Sequence, residues 1–189
     1  PRIVNYIDKE IMKGDIAEAK LFNPDFIIAN MHWGLEYERI PSREQRELAD
    51  WLLRQGVDLV IGSHPHVVQP MELRRGKEGV TDRLVVYSLG NFISNMSREH
   101  TDGGVMVKVV LGRKGLRRYI ISAQYSLIYS SRYKNEQGKE DIRVVPAASW
   151  SGKNQNSSFS VDSALIKYVN NTRLFLKGNN KEVEEYIFE

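Results

Sequence analysis

Two histidines flank one proline, His64-Pro65-His66, where the apolar run "VIGS" at 60–63 ends. Neutral imidazole is the commonest protein ligand for zinc and also suits iron, nickel and copper. Proline holds its own φ at about −65° and disfavours the α region in the residue before it, which predicts an extended segment with both rings on one side. His32 ends another apolar run, "DFIIANM" at 25–31. Three imidazoles with a coordination position left for water are what a catalytic zinc needs. Glu36, four residues past His32, reads equally as an oxygen ligand, a general base or a surface glutamate. Asn91 in "LGN" offers an amide oxygen, or stands there because the turn favours it. His100, in the polar "SREHTDGG", reads as an ordinary surface or core residue.

The chemistry depends on elements that bring these residues to one place. Residues 8–22 space Ile11, Met12, Ile16, Ala19 and Leu21 as an amphipathic helix that Asn23-Pro24 ends. The run at 25–31 predicts a buried strand. Ser42 with Gln45 forms a capping box for a helix that Gly56 closes, and "DLVIGS" at 58–63 predicts a second buried strand. Strand, helix, strand is a βαβ unit with parallel strands, so His32, His64 and His66 fall at the same sheet edge, where open α/β sheets bind ligands. A third strand is predicted at 84–88, with a Gly-Asn turn behind it.

From residue 104 the pattern changes to alternation: Val105, Val107, Val109 and Leu111 share a face, and "LRRYIISAQ" runs back after a turn at 112–115 as a β-hairpin. "EDIRVVP" at 140–146 predicts another strand. The polar stretch "WSGKNQNSSFS" at 150–160 reads as a loop. Beyond it "VDSALIKYVNNTRLFL" predicts a helix with Leu165, Ile166, Val169 and Leu174 inward, and "KEVEEYIFE" a short last helix. The organisation expected is one main unit over 1–146 followed by the loop and helical extension over 147–189.

Composition narrows the classes. With 41% apolar and 27% charged residues in 189, the chain has the make-up of a folded globular domain, and no apolar run is long enough to span a bilayer. A net charge of +3 without a concentrated patch gives no ground for nucleic-acid binding; the basic cluster "GRKGLRR" at 112–118 reads as a solvated hairpin tip. The absence of cysteine removes disulfides, thiolate metal sites and cysteine nucleophiles. Pro1 is followed by no signal-peptide pattern, which is expected of a processed product or of a piece of something longer.

Three ordered stretches, "NMHWGLEY" (30–37), "LVIGSHPHVVQPME" (59–72) and "VVYSLGNFI" (85–93), closely resemble the poly-γ-glutamate capsule biosynthesis (CapA-like) family, which is similar to the calcineurin-like metallophosphoesterases. The likeness runs from about residue 1 to about residue 111, and residues 112–189 carry no assignable motif. The resemblance implies an α/β fold, the C-terminal part of a β-sandwich flanked by helices. It implies that His32, His64 and His66 are metal ligands, with Gly62 opening a glycine-x-His-Pro-His variant of the family's closing motif. Trp33 would be a pocket wall or a core aromatic. The centre implied holds divalent ions, manganese, zinc or iron, as a pair about 3.5–4 Å apart.

The family's bridging aspartate and its other early ligands have no counterpart in this sequence. Two ions need about eight protein donors, more than three imidazoles and Glu36 supply, so weak metal affinity and no turnover are expected of this chain. The function expected is part of a capsule-polymer synthesis protein with a phosphoesterase-like hydrolase site acting on a phosphorylated substrate or an anionic polymer. The alternative is a non-catalytic polymer-binding or export component allied to membrane-associated capsule machinery, and a third reading leaves the histidines residual in a structural domain. The family context implies an extracytoplasmic, cell-envelope location. A sandwich without its first strands bares a sheet edge, which predicts self-association.

Overall fold

Asp8 begins the first helix by chemistry the sequence shows: its Oδ1 accepts the N–H groups of Glu10 and Ile11, capping α1 (Lys9–Leu21). The computed structural model describes residues 5–76, 82–115, 117–148 and 163–187, so the loop expected at 150–160 lies outside the described residues. Ile16 is buried in α1 and Met12 packs against the same core, but Leu21 is 84% exposed. Leu21 lies nine residues past Met12, half a rotation around the helix at 3.6 residues per turn, and therefore faces solvent.

The βαβ unit forms as expected. Strand β1 (Ile28–His32) runs parallel to β2 (Leu59–Ser63), with His32 opposite Ser63. Between them α2 (Arg43–Gln55) starts at a complete capping box: the Gln45 N–H donates to Ser42 Oγ at 3.2 Å and the Ser42 N–H to Gln45 Oε1 at 3.0 Å. It ends at Gly56, whose φ of 98° is left-handed. Asp58 ties the two strands at their start, its carboxylate accepting the Ile27 N–H at 2.8 Å and pairing with Arg83 at 2.8 Å.

The first sheet has the order β1-β2-β4-β3, where β4 (Arg83–Val86) is parallel to β2 and β3 (Met71–Arg74) is antiparallel to β4. β3 carries no strand signal in the sequence, because "MELR" is four residues long, sits behind a proline and is half charged. The apolar run at 25–31 predicts β1 as a buried strand. β1 is instead the sheet's edge: Ala29 and Met31 face the helices, whereas Ile28, Asn30 and His32 on the other face are exposed. Period-two alternation separates two cores. Val60, Val85 and Tyr87 pack with Leu48, Ala49 and Leu52 of α2, and Leu59, Leu84 and Val86 face a second sheet.

The second sheet is the expected hairpin, longer than predicted: β5 (Gly103–Lys114) and β6 (Arg117–Lys134), with β7 (Glu140–Pro146) beyond β6. Val105, Leu127 and Tyr125 enter the shared core. A bulge between Val110 and Leu111 shifts the register, leaving Ile121 exposed and turning Ile120 inward.

Helix α3 (Ser163–Asn179) closes the same core with Leu165, Tyr168, Val169, Thr172 and Leu176. Ile166 and Leu174, expected inward, are 36% and 75% exposed; Leu174 is nine residues from Leu165 and faces the opposite way. The expected last helix is a strand, β8 (Glu184–Glu185), parallel to β6. Glu185 is held there by Arg173 at 2.8 Å, and the Tyr186 N–H donates to the Tyr125 carbonyl at 2.6 Å. The whole is a mixed α/β fold, two four-stranded sheets with helices on the outer face of the first.

Candidate metal centre

The three histidines meet at the C-terminal ends of β1 and β2. His32 is the last residue of β1, and its ring centroid lies 4.5 Å from that of His64. The His64 and His66 rings are 6.1 Å apart. They converge by a different backbone from the one expected. His64 has φ of 102° and His66 of 60°, so the His-Pro-His segment bends through the left-handed region rather than running extended. Left-handed φ in non-glycine residues costs about 1–3 kcal/mol each and is held only where the surroundings over-determine it. Here the Trp33 N–H donates to Ser63 O at 3.1 Å and the Tyr37 N–H to Pro65 O at 2.7 Å, clamping the segment on both sides. Tyr37, at φ 69°, is a third such residue.

Gly62 is required by a close approach. The Trp33 indole N–H crosses it to donate to the Tyr87 carbonyl at 2.8 Å, and a Cβ on Gly62 would stand 2.0 Å from that carbonyl oxygen. Trp33 is therefore a core aromatic, 4% exposed, that sets the spacing between β1, β2 and β4 behind the histidines.

Glu36, His64 and His66 form the group whose ligand atoms all lie within 4.8 Å of one another, and His32 stands beside His64 outside that group. Glu36 Oε1 is 4.0 Å from His66 Nε2. Asn91 does not face this point. Its Oδ1 lies 3.0 Å from His66 Nδ1, while its Nδ2 donates to Thr101 O at 3.0 Å. The second bond fixes which amide atom faces the ring, so His66 Nδ1 donates to Asn91 and, in the neutral imidazole, Nε2 keeps its lone pair toward Glu36. Two acceptors then face each other across a gap too long for a hydrogen bond. Either a proton on Nε2 or a metal cation would suit that gap, and the donor set of two imidazoles and a carboxylate is one that zinc, manganese or iron accepts.

Several residues that carry no motif in the sequence support the cluster. Gln69 is fully buried and joins the Gln45 amide at 2.8 Å to the Glu38 carbonyl at 2.8 Å, anchoring the loop that carries Glu36 to the start of α2. A glutamine inside the apolar "HVVQPM" was its only trace in sequence. The Tyr37 ring lies 6.2 Å from that of His66, with the Arg98 guanidinium 3.9 Å above it. Burial and the Glu36 carboxylate raise the Tyr37 phenol above its ordinary range, with Arg98 pulling the other way. His100 points elsewhere, lining a cavity with Lys167 and Tyr168; burial, then Arg39, lowers its pKa.

Known proteins share this region. Residues 2–96 match the family described as bacterial capsule synthesis protein PGA_cap. The chain is 34% identical over 115 residues to the PGA biosynthesis protein CapA of Bacillus subtilis (strain 168), an alignment covering 61% of this chain and 28% of the relative. It is 35% identical over 107 residues to the capsule biosynthesis protein CapA of Bacillus anthracis, covering 57% and 24% respectively. The chain thus spans about a quarter of the length of these relatives. The match contains His32, Glu36, His64, His66 and Asn91, and with its strand-end histidine cluster the chain belongs to the bacterial capsule synthesis PGA_cap family.

Proposed function

We propose that this chain carries part of a divalent-metal site in a poly-γ-glutamate capsule synthesis protein, and that the site performs phosphoesterase-like hydrolysis when its donor set is complete. The observation that supports this most is the convergence of Glu36, His64 and His66, whose ligand atoms all lie within 4.8 Å of one another, with His66 oriented by Asn91. His64, His66 and Glu36 would hold one ion, and His32 would serve a neighbouring one. When bound, such ions supply Lewis acidity toward a phosphoryl oxygen. The chain's own contribution is to present lone pairs in fixed positions: Asn91 orients His66, and Tyr37 and Trp33 hold the loop on either side. Four donors fall short of the about eight that two ions need, so full activity requires donors from another segment of the protein.

Calorimetric titration with manganese and with zinc tests the site. Binding that His64→Ala abolishes supports it, and equal affinity in wild type and His64→Ala would refute it. Turnover is tested on the full-length protein with a chromogenic phosphodiester. Metal binding without hydrolysis, together with retention of poly-γ-glutamate, would favour a polymer-binding or export role on the same fold, within extracytoplasmic capsule machinery.

A further inference from the structure

Arg98 is an exposed side chain with a fixed place. Its guanidinium lies 3.9 Å over the Tyr37 ring, and that ring stacks at 6.2 Å on His66. No carboxylate lies within ion-pair distance of it among the described residues. Its backbone belongs to the network that orients His66: Thr101, fully buried, donates its N–H at 3.1 Å and its hydroxyl at 2.6 Å to the Arg98 carbonyl, and the Thr101 carbonyl accepts from Asn91. The platform under the side chain is equally constrained, since the Tyr37 N–H is bonded to Pro65 inside the His-Pro-His bend. Arg98 is thus tied to the surroundings of His66 twice, at its backbone carbonyl through Thr101 and at its guanidinium through the Tyr37 ring. A cation–π contact at 3.9 Å leaves the guanidinium N–H donors available to a planar or tetrahedral oxyanion, which is the recognition arginine does best.

We propose that Arg98 is the oxyanion-binding side chain of this site, taking a phosphate or carboxylate oxygen of the substrate as a charge-assisted, two-point hydrogen-bond donor. The proposal rests on the metal-site reading for its context, but its test separates the two. Calorimetry of this chain measures three things independently: manganese, inorganic phosphate, and a γ-linked glutamate trimer. Arg98→Gln is expected to weaken phosphate or trimer binding about tenfold, with Arg98→Lys recovering only part because it keeps charge without the fork. Manganese affinity and Tm should stay at their wild-type values. Dependence of phosphate alone on Arg98 assigns a phosphoryl group, and dependence of the trimer alone assigns a carboxylate. The proposal is overturned if neither probe binds the wild type, if both bind Arg98→Gln as they bind wild type, or if manganese affinity falls in step with them, which would make Arg98 a support for the cluster. Arg98-dependent oxyanion binding in a chain that takes up no manganese would sink the metal reading and leave this one standing.

Discussion

At the scale of single residues, the site is governed by which atoms are already engaged. His66 donates from Nδ1 to Asn91, so only Nε2 is available toward Glu36. Removing the orienting amide frees the ring to rotate and to change tautomer. Asn91→Ala should therefore weaken zinc or manganese binding about 10–100-fold without abolishing it, read by competition with a chelating dye. Gly62 sets a different limit. A methyl group there meets the Tyr87 carbonyl at 2.0 Å and displaces the Trp33 indole. Gly62→Ala should cost about 3 kcal/mol in urea unfolding and lower metal affinity as the strand ends separate; unchanged stability would show that the strands give way easily.

At the scale of elements, buried polar anchors join segments distant in sequence. Asp82, 10% exposed at its side chain, accepts the N–H of Gly76 at 2.9 Å and of Ile120 at 3.1 Å and pairs with Arg75 at 3.0 Å, tying the entry of β4 to β6. Burial pushes its carboxyl up, but the two amides and the guanidinium together hold it below the ordinary 3.8. A carboxyl with a lowered folded pKa adds stability that is fully present above the unfolded value and is lost as pH falls through the folded one. Asp82→Asn should cost about 1.5–3 kcal/mol at pH 7, with the gap to wild type closing below pH 3.8; a gap independent of pH would argue against the charge. At α2, Ser42→Ala removes one side of the capping box and should cost about 1 kcal/mol, measured by thermal unfolding.

At the scale of the whole molecule, β1 is an edge whose one face, Ile28, Asn30 and His32, no second layer covers among the described residues. Leu35 and Ile40, in the loop after β1, are 63% and 50% exposed. Such an edge favours pairing with another strand, so light scattering at tens of micromolar should show a species heavier than a monomer. A monodisperse monomer across that range would remove this expectation. None of the described helices is long and apolar enough to cross a membrane.

Sequence alone determined the features set by local chemistry. The Ser42 start and Gly56 stop of α2, the parallel βαβ pairing and the presence of the hairpin, though not its length, follow from caps, turn residues and apolar period, each acting within a few residues. The gathering of His32, His64 and His66 at one edge follows from the same periodicity and from parallel strands ending together. Only the tertiary structure decided the rest. The left-handed bend at His64 and His66 is imposed by Trp33 and Tyr37 clamping the segment against its local preference, and the bonds that hold it come from residues about 30 positions away. The contacts of Asn91, Tyr37 and Arg98 around His66, the placing of β1 at an edge, and β8 in place of a helix depend on segments distant in sequence. Periodicity in one stretch carries no information about which remote segment will lie against it.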